Sequence, residues 1–495
     1  MGGTNKMRGV GKVLENSFLY TFSSLLVKAI GFLLLPVYTL FLTPDDYGIT
    51  NLVSSFTGVA TFIVTFSLHR AIIRFYTDLK DDREKLKRFY GTAVLFVFLS
   101  GCVFVGFMFL FRVLLIRWFF EGVAFFPFVV VALLGLTFAC LHTVHQSILQ
   151  GMQAGKKLTV INLVVFFFNV GFNLTFISVF KMGAAGVLLS SLLVNLFYVI
   201  YMLYDLKRNN LIVFCMDKTI LRGALKYSIP LMPHNLSTSI ASFASRVFIN
   251  QSATLTTVGL YSVAMQFGNI IDMIQSSVNR AFAPWFYDAM NREGDTGKKE
   301  AVIFSRFMLI LYSLIYMGIG LFSSDVLILM TTERYHSAWT AIPIMVAAFS
   351  VKSIYYFYIN VLFYYKQAAN KIFIATITGS LADIILASML VKSFGMYGAA
   401  IAFLIAKIIV VTIVVMMSKM YDDIGYRVTD MLKIIVPSLL FMGAGLYFSY
   451  TKYHTVFSWV NLLYKVGVLL GYLAFVYLTN RSAINNLIGV GKIRR

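Results

Sequence analysis

Charged residues are scarce in this chain of 495 residues: they make up 13% of it, whereas apolar residues make up 59%. Several uninterrupted apolar stretches exceed about eighteen residues, the length that a helix needs to cross the hydrocarbon layer of a membrane. This pattern leaves no room for a sizeable soluble domain between the apolar stretches. We therefore predict an all-α multi-pass membrane protein.

Metal-binding and nucleotide-binding motifs are also missing. The three cysteines, Cys102, Cys140 and Cys215, are scattered and predict neither a disulfide framework nor a zinc site. His142 and His145 face similar directions at one helix end, but a third ligand is absent, which argues against a metal. Gly489–Lys492 ends in Gly-Lys without the earlier glycine of a phosphate-binding loop. We expect no cofactor and no ATP hydrolysis.

The basic residues have an uneven distribution that predicts the topology. We predict about fourteen spans, near 17–42, 48–69, 91–111, 122–142, 158–180, 184–205, 227–250, 255–278, 304–323, 338–362, 372–391, 396–418, 431–450 and 460–479. Most of the 42 lysines and arginines then lie in cytoplasmic segments, and few lie in the outward loops. This bias places both termini in the cytoplasm. The net charge of +21 is thus largely a topology signal, and nucleic-acid binding is not predicted.

The middle of the chain contains an internal repeat. Gln153-Ala154-Gly155-Lys156-Lys157 and the apolar run up to Gly186 return as Gln367-Ala368-Ala369-Asn370-Lys371 and the run up to Ala400. Both copies enter a span from the cytoplasmic side, so the repeats are parallel. A weaker echo pairs Leu42-Thr43 before Gly48 with Leu255-Thr256 before Gly259. We predict two six-helix lobes, 1–206 and 227–420, a cytoplasmic connector, 207–226, and two added helices with a basic tail, 421–495.

Polar side chains recur on single faces of several predicted spans. The seventh span carries a stripe of Asn235, Ser239, Ser242, Arg246 and Asn250, which fall within one arc at about 100° per residue. The eighth carries Asn269, Asp272, Ser276 and Asn279, and the fifth carries Asn162, Asn169 and Asn173. Such residues either bind a substrate or only hydrogen-bond to neighbouring helices. For the permanently charged Arg246 we favour a role in binding.

The sign of the intramembrane charges indicates an anionic substrate. An ionisable side chain at the bilayer centre costs about 2.5–3.5 kcal/mol, so each one predicts a functional site. Lys28, Arg246, Lys352 and Lys407 outnumber Asp272 and Asp383. A shared cavity would then be cationic and suited to phosphate or pyrophosphate. The two aspartates either bind a coupling H+ or Na+ or neutralise a lysine. Lys465, nearer a span end, is expected to extend along its stem to the interface.

Several segments of the chain resemble the polysaccharide-biosynthesis flippases, the Wzx-like branch of the multidrug/oligosaccharidyl-lipid/polysaccharide exporter superfamily. The likeness covers most of the chain and is carried by Leu42–Gly48, Tyr227–Pro233 and Val258–Ala264, and by the Gly183–Gly186 and Gly398–Ala400 turns. The resemblance implies a bacterial inner-membrane protein that moves undecaprenyl-pyrophosphate-linked oligosaccharide to the outer leaflet by alternating access of two lobes. It also implies surface polysaccharide such as O-antigen of lipopolysaccharide, and partners that include membrane lipids, a polysaccharide polymerase and chain-length machinery.

Two other functions are alternatives to this one. A multidrug-type cation-coupled antiporter of the same fold would bind organic cations through acidic cavity residues, and the sign balance argues against it. A membrane-embedded glycosyltransferase or polymerase would need a sizeable outward loop with catalytic carboxylates, and the longest outward segments, near 112–122 and 324–337, are short. We therefore predict that the protein is not an enzyme. The substrate-binding candidates are Lys28, Arg246, Lys352, Lys407, Asn235, Ser239, Ser242, Asn269 and Asn169.

Overall fold

The computed structural model describes residues 31–369 and 371–493, and none of these residues lies in a β-strand. Ten helices of this part of the chain are long and apolar enough to cross a membrane. The chain forms two compact units, one up to Gly259 and one from Leu260 onward. The predicted all-α multi-pass fold is confirmed. The predicted division into the lobes 1–206 and 227–420 stays a prediction.

The first unit is built from helices of unequal length. Its helices are α1 (Leu35–Phe41), α2 (Pro44–Thr65), α3 (Leu68–Leu79), α4 (Arg83–Leu110), α5 (Arg112–Phe119), α6 (Val130–Gly151), α7 (Gly155–Leu174), α8 (Gly183–Arg208), α9 (Lys218–Ser228), α10 (Met232–Ser252) and the start of α11 (Leu255–Glu293). Helix α6 packs on α3, α4 and α8, and α10 packs on α2. Its core therefore lies around α6, whose apolar side chains are largely buried.

The second unit contains the remainder of α11 and the helices that follow. These are α12 (Asp295–Met330), α13 (Ile342–Tyr364), α14 (Lys366–Ala369), α15 (Ile372–Tyr421), α16 (Val428–Gly445), α17 (Tyr447–Thr451) and α18 (Trp459–Ile493). Helix α15 turns back at Gly395, which has φ +53°. A glycine tolerates this left-handed conformation at low cost. The turn divides α15 into the two predicted spans 372–391 and 396–418.

The seventh and eighth predicted spans are long helices that are less apolar than the others. Helices α10 and α11 are absent from the ten membrane-crossing candidates, although both exceed the length required to span the hydrocarbon layer. Their polar stripes lower the mean hydropathy. The first predicted span, 17–42, lies mainly outside the described residues.

Two glycines bring the starts of α2 and α11 into backbone contact. A Cβ atom on Gly48 would lie 2.1 Å from the carbonyl oxygen of Leu255, and one on Gly259 would lie 2.1 Å from the carbonyl oxygen of Pro44. The Thr43 hydroxyl accepts from the Asp46 amide at 3.1 Å, and the Thr254 hydroxyl accepts from the Thr257 amide at 3.2 Å. The two copies of this motif therefore pair Thr43 with Thr254, two residues earlier than the predicted alignment.

Candidate functional site

A partly buried ion pair joins α11 to α13 in the second unit. The Lys352 ammonium is paired with the Asp272 carboxylate, and the Tyr356 hydroxyl donates to the same carboxylate oxygen at 3.1 Å. The Lys352 side chain is 22% exposed and that of Asp272 is 31% exposed. Because the charges neutralise one another, the pair costs less to bury than either ion alone. Asp272 is held by two donors and is not an isolated carboxylate.

Two further ionisable residues lie on the two halves of α15, which pack together where Gly379 meets Val410. Lys407 Nζ lies 4.4 Å from the centre of the Phe403 ring, and its charge interacts with those of Lys352, Asp383 and Asp272. Asp383 is only 5% exposed. Its Oδ1 atom accepts no hydrogen bond from any residue that the structure describes. Asp383 therefore has free capacity to bind a proton, a cation or a polar substrate group.

A hydrogen-bonded amide pair continues the polar surface of α11 and α13. The Asn360 side chain donates to Asn279 Oδ1 at 2.8 Å, and the Asp272–Lys352 region lies about two helical turns earlier on each helix. Gln275 is fully buried and donates to the Tyr316 hydroxyl at 2.7 Å and to the Phe349 carbonyl at 2.9 Å. The asparagines and Gln275 match the interpretation in which polar residues connect neighbouring helices.

The polar stripe of the seventh predicted span lies on α10, in the first unit. The Arg246 guanidinium donates to the Ser242 hydroxyl at 2.8 Å and to the Ser242 carbonyl at 2.9 Å. Arg246 is 8% exposed, whereas Ser242 is exposed. Asn250 donates to the Glu121 carbonyl at 2.8 Å, so it fastens a loop of the same unit. Arg246 is thus a buried cation that its own helix orients.

The other predicted polar residues are distributed over both units. Asn235 and Ser239 are half-buried on α10, and the Ser239 hydroxyl donates to the Asn235 carbonyl at 3.4 Å. On α7, Asn169 accepts a hydrogen bond from Asn173 at 2.8 Å. Asn269 is exposed on α11. Lys28 lies outside the described residues.

Sequence reasoning assigned no role to a buried network in the first unit. His145 is fully buried, with Nδ1 at 2.9 Å from the Tyr198 hydroxyl and Nε2 at 3.3 Å from Asp205 Oδ2. Lys157 pairs with Asp205 at 2.6 Å and so links α7 to α8. His142 contacts Asn195 at 2.9 Å. The only sequence signal was the His142–His145 pair, because the partners on α8 lie far away along the chain.

The prediction for Lys465 was wrong. Its side chain is fully buried and does not reach an interface. The ammonium pairs with Asp325 at 2.5 Å and donates to the Ser324 hydroxyl at 2.6 Å. Asp325 lies on α12, so the ion pair fastens α18 to the rest of the second unit. A charged partner on another helix removes the need for the long side chain to reach water.

The structure brings four of the predicted residues together, all in the second unit: Asp272, Lys352, Asp383 and Lys407. Their formal charges balance, two lysines against two aspartates. The local cluster is therefore neutral rather than cationic. The predicted excess of positive charge therefore depends on Arg246 and Lys28. That these two residues share one chamber with the cluster stays a prediction.

Comparison with known proteins agrees with this architecture. A family model described as "Polysaccharide biosynthesis protein" matches residues 13–290. The chain is 22% identical over 288 residues to "Lsg locus putative protein 1" of Haemophilus influenzae. The matched region is 57% of this chain and 68% of that protein. The fold is similar to that of the lipid II flippase MurJ in an inward closed conformation, with a TM-score of 0.65 and 17% identity over 96% of this chain and 98% of MurJ. It is also similar to an inward-facing multidrug transporter of the MATE family, with a TM-score of 0.64 and 16% identity over 80% of this chain and 94% of that one.

Proposed function

Because the chain belongs to the polysaccharide biosynthesis protein family, we propose that it is a flippase for an undecaprenyl-pyrophosphate-linked oligosaccharide. It would move this lipid from the cytoplasmic to the outer leaflet of a bacterial inner membrane, for the synthesis of surface polysaccharide. The two six-helix lobes would alternate access to a shared chamber. A polysaccharide polymerase and chain-length machinery would use the product. In this role the protein catalyses no covalent chemistry.

The observation that carries the proposal is the cluster of ionisable side chains on α11, α13 and α15. Each such residue within a membrane-spanning helix costs about 2.5–3.5 kcal/mol at the bilayer centre. A protein that needed these helices only for its fold would be more stable with apolar residues there. Three helices each contribute at least one charge to the cluster. Charged groups inside a transporter fold support substrate or ion binding at that depth.

An anionic substrate is supported by the basic members of the set. Lys352 and Lys407 provide compact point charges, and Arg246 provides a planar group that can hold two phosphate oxygens. We assign the pyrophosphate to Arg246, Lys28, Lys352 and Lys407 and the sugar hydroxyls to Asn235, Ser239, Ser242, Asn269 and Asn169. Asp272 is engaged by Lys352 and Tyr356, so we assign ion coupling first to Asp383.

The multidrug alternative is supported by the fold but less well by the site. An organic cation requires an available carboxylate, and Asp272 is occupied by an internal lysine. Asp383 is the better candidate for such a role because one of its oxygens is unbonded among the described residues. A cation antiporter would then depend on Asp383 and would be insensitive to loss of Lys407.

Transport in proteoliposomes tests the proposed substrate. The purified full-length protein is reconstituted with a fluorescent pyrophosphate-linked oligosaccharide lipid, and its movement between leaflets is followed by quenching from outside. We expect Lys407→Ala and Arg246→Ala to abolish movement, whereas Lys433→Ala, which removes an exposed lysine of α16, leaves it unchanged. The proposal would be refuted if the lipid moved at the full rate in both Lys407→Ala and Arg246→Ala. It would also be refuted if the protein moved organic cations and this movement required Asp383 but not Lys407.

A further inference from the structure

An apolar groove runs between α7 and α8 in the first unit. It has a volume of about 560 Å³, within the range of ligand-binding pockets. Valines and aromatic rings form its walls, among them Val160, Val164, Phe168 and Phe172 of α7 and Phe197 and Tyr201 of α8. Val160, Val164, Phe168 and Phe197 are all about half exposed or more. The groove therefore opens outward from the unit and offers almost no hydrogen-bonding group to an occupant.

The groove face of α7 is separate from its polar face. At about 100° per residue, Ile161, Val165, Phe168 and Phe172 fall on one side of the helix, and Asn162, Asn169 and Asn173 fall about 100° away. The substrate candidates of α7 thus face a different direction from the groove. An occupant of the groove need not be the substrate of the proposed transport.

The length of the groove corresponds to one leaflet of a membrane. Its lining on α7 extends from Val160 to Phe172, which is about 18 Å at 1.5 Å per residue. The hydrocarbon core is about 30 Å thick, so one leaflet is about 15 Å deep. A single acyl chain of a phospholipid spans this depth, whereas a polyprenyl chain is longer than one leaflet.

One end of the groove is closed by charged side chains. Lys157 lies one turn before Ile161 on α7, and its ion pair with Asp205 bridges to α8 at 2.6 Å. Asp205 in turn follows Tyr201 by one turn. Just beyond, Lys156 and Arg208 are exposed, and the Arg208 guanidinium donates to the Tyr204 hydroxyl at 2.9 Å. Positive charge therefore collects at one end of an apolar slot.

We propose that this groove binds an anionic phospholipid of the cytoplasmic leaflet. One acyl chain lies between α7 and α8, and the phosphate contacts Lys156 and Arg208. Basic side chains next to the membrane attract anionic head groups, and the topology predicted from the basic residues places this end of α7 and α8 in the cytoplasm. The bound lipid would stabilise the α7–α8 pair.

Photochemical labelling of the full-length protein in nanodiscs tests the proposal. A phosphatidylglycerol and a phosphatidylcholine, each with a photoreactive diazirine in one acyl chain, are compared by mass spectrometry of the labelled peptides. We expect the label to concentrate on α7 and α8 and to be several-fold stronger with phosphatidylglycerol. Lys156→Gln with Arg208→Gln should reduce labelling by phosphatidylglycerol to the level of phosphatidylcholine.

A groove-filling variant distinguishes specific binding from general contact with lipid. Val164→Trp should abolish the label on α7 and α8. The matched control, Val179→Trp, changes an exposed valine that does not line the groove and should retain the label. Equal melting temperatures in detergent establish that both variants are folded. Undiminished labelling in Val164→Trp, or labelling spread evenly over all apolar helices, would overturn the proposal.

Discussion

At the scale of single residues, Lys465 and Asp325 provide the simplest test of a buried charge. Both side chains are almost completely buried, and they fasten α18 to α12. We expect Lys465→Met to lower the free energy of unfolding by about 3–5 kcal/mol, because Asp325 is left as an uncompensated buried charge. Thermal unfolding of the purified protein in detergent measures the loss. The double variant Lys465→Met with Asp325→Leu should recover most of it, and no recovery would contradict the pairing as the cause.

Asp383 is the residue at which ion coupling is best examined. One of its oxygens accepts no hydrogen bond from the described residues, and Lys407 is the neighbouring cation. We expect Asp383→Asn to remove the dependence of transport on an imposed H+ or Na+ gradient, because an amide cannot carry the charge that binds either ion. Transport in proteoliposomes with each gradient in turn identifies the ion. Asn279→Ala, which removes one member of the hydrogen-bonded amide pair of α11 and α13, serves as a control that should keep gradient dependence.

At the scale of helices, the crossing of α2 and α11 depends on the absence of side chains. We expect Gly48→Ala to destabilise the protein by about 1–3 kcal/mol or more, because the new methyl group must displace the Leu255 backbone. Gly58 lies on the same helix with nothing within 4 Å of its Cβ position, so Gly58→Ala should be tolerated. The melting temperatures of the two variants test whether the close contact of α2 and α11 is required for stability. Equal values would show that the two helices can separate at no cost.

The sequence predicted the helices well where apolar runs were long, and less well where helices were polar or contacts were distant. The repeat around Gly155 and the turn at Gly395 lie at helix boundaries as predicted, because local turn chemistry determines both. By contrast, the network of His145 with Tyr198 and Asp205 joins residues on different helices. Periodicity reports which face a side chain occupies but not which helix it meets. The burial of Lys465 was missed for the same reason, since its partner Asp325 is remote in sequence.

At the scale of the whole molecule, the predicted topology can be examined by chemical labelling. In a variant without the three native cysteines, single cysteines replace Lys181 or Lys452 in outward loops and Asp81 or Lys419 in cytoplasmic segments; all four positions are exposed. We expect a membrane-impermeant maleimide to label intact spheroplasts only at positions 181 and 452. Permeabilised cells should show labelling at all four positions. Labelling of position 81 or 419 in intact spheroplasts would invert the assigned orientation.

The contact between Gly48 and Gly259 also bears on how such a chain arose. Each glycine meets the carbonyl oxygen of the residue four positions before the other glycine, and each helix start is capped by an equivalent threonine. This reciprocity is the geometry of an isologous interface between identical subunits. A half-length ancestor could therefore have paired with itself through the same surface, and gene duplication followed by fusion would have preserved that pairing inside one polypeptide.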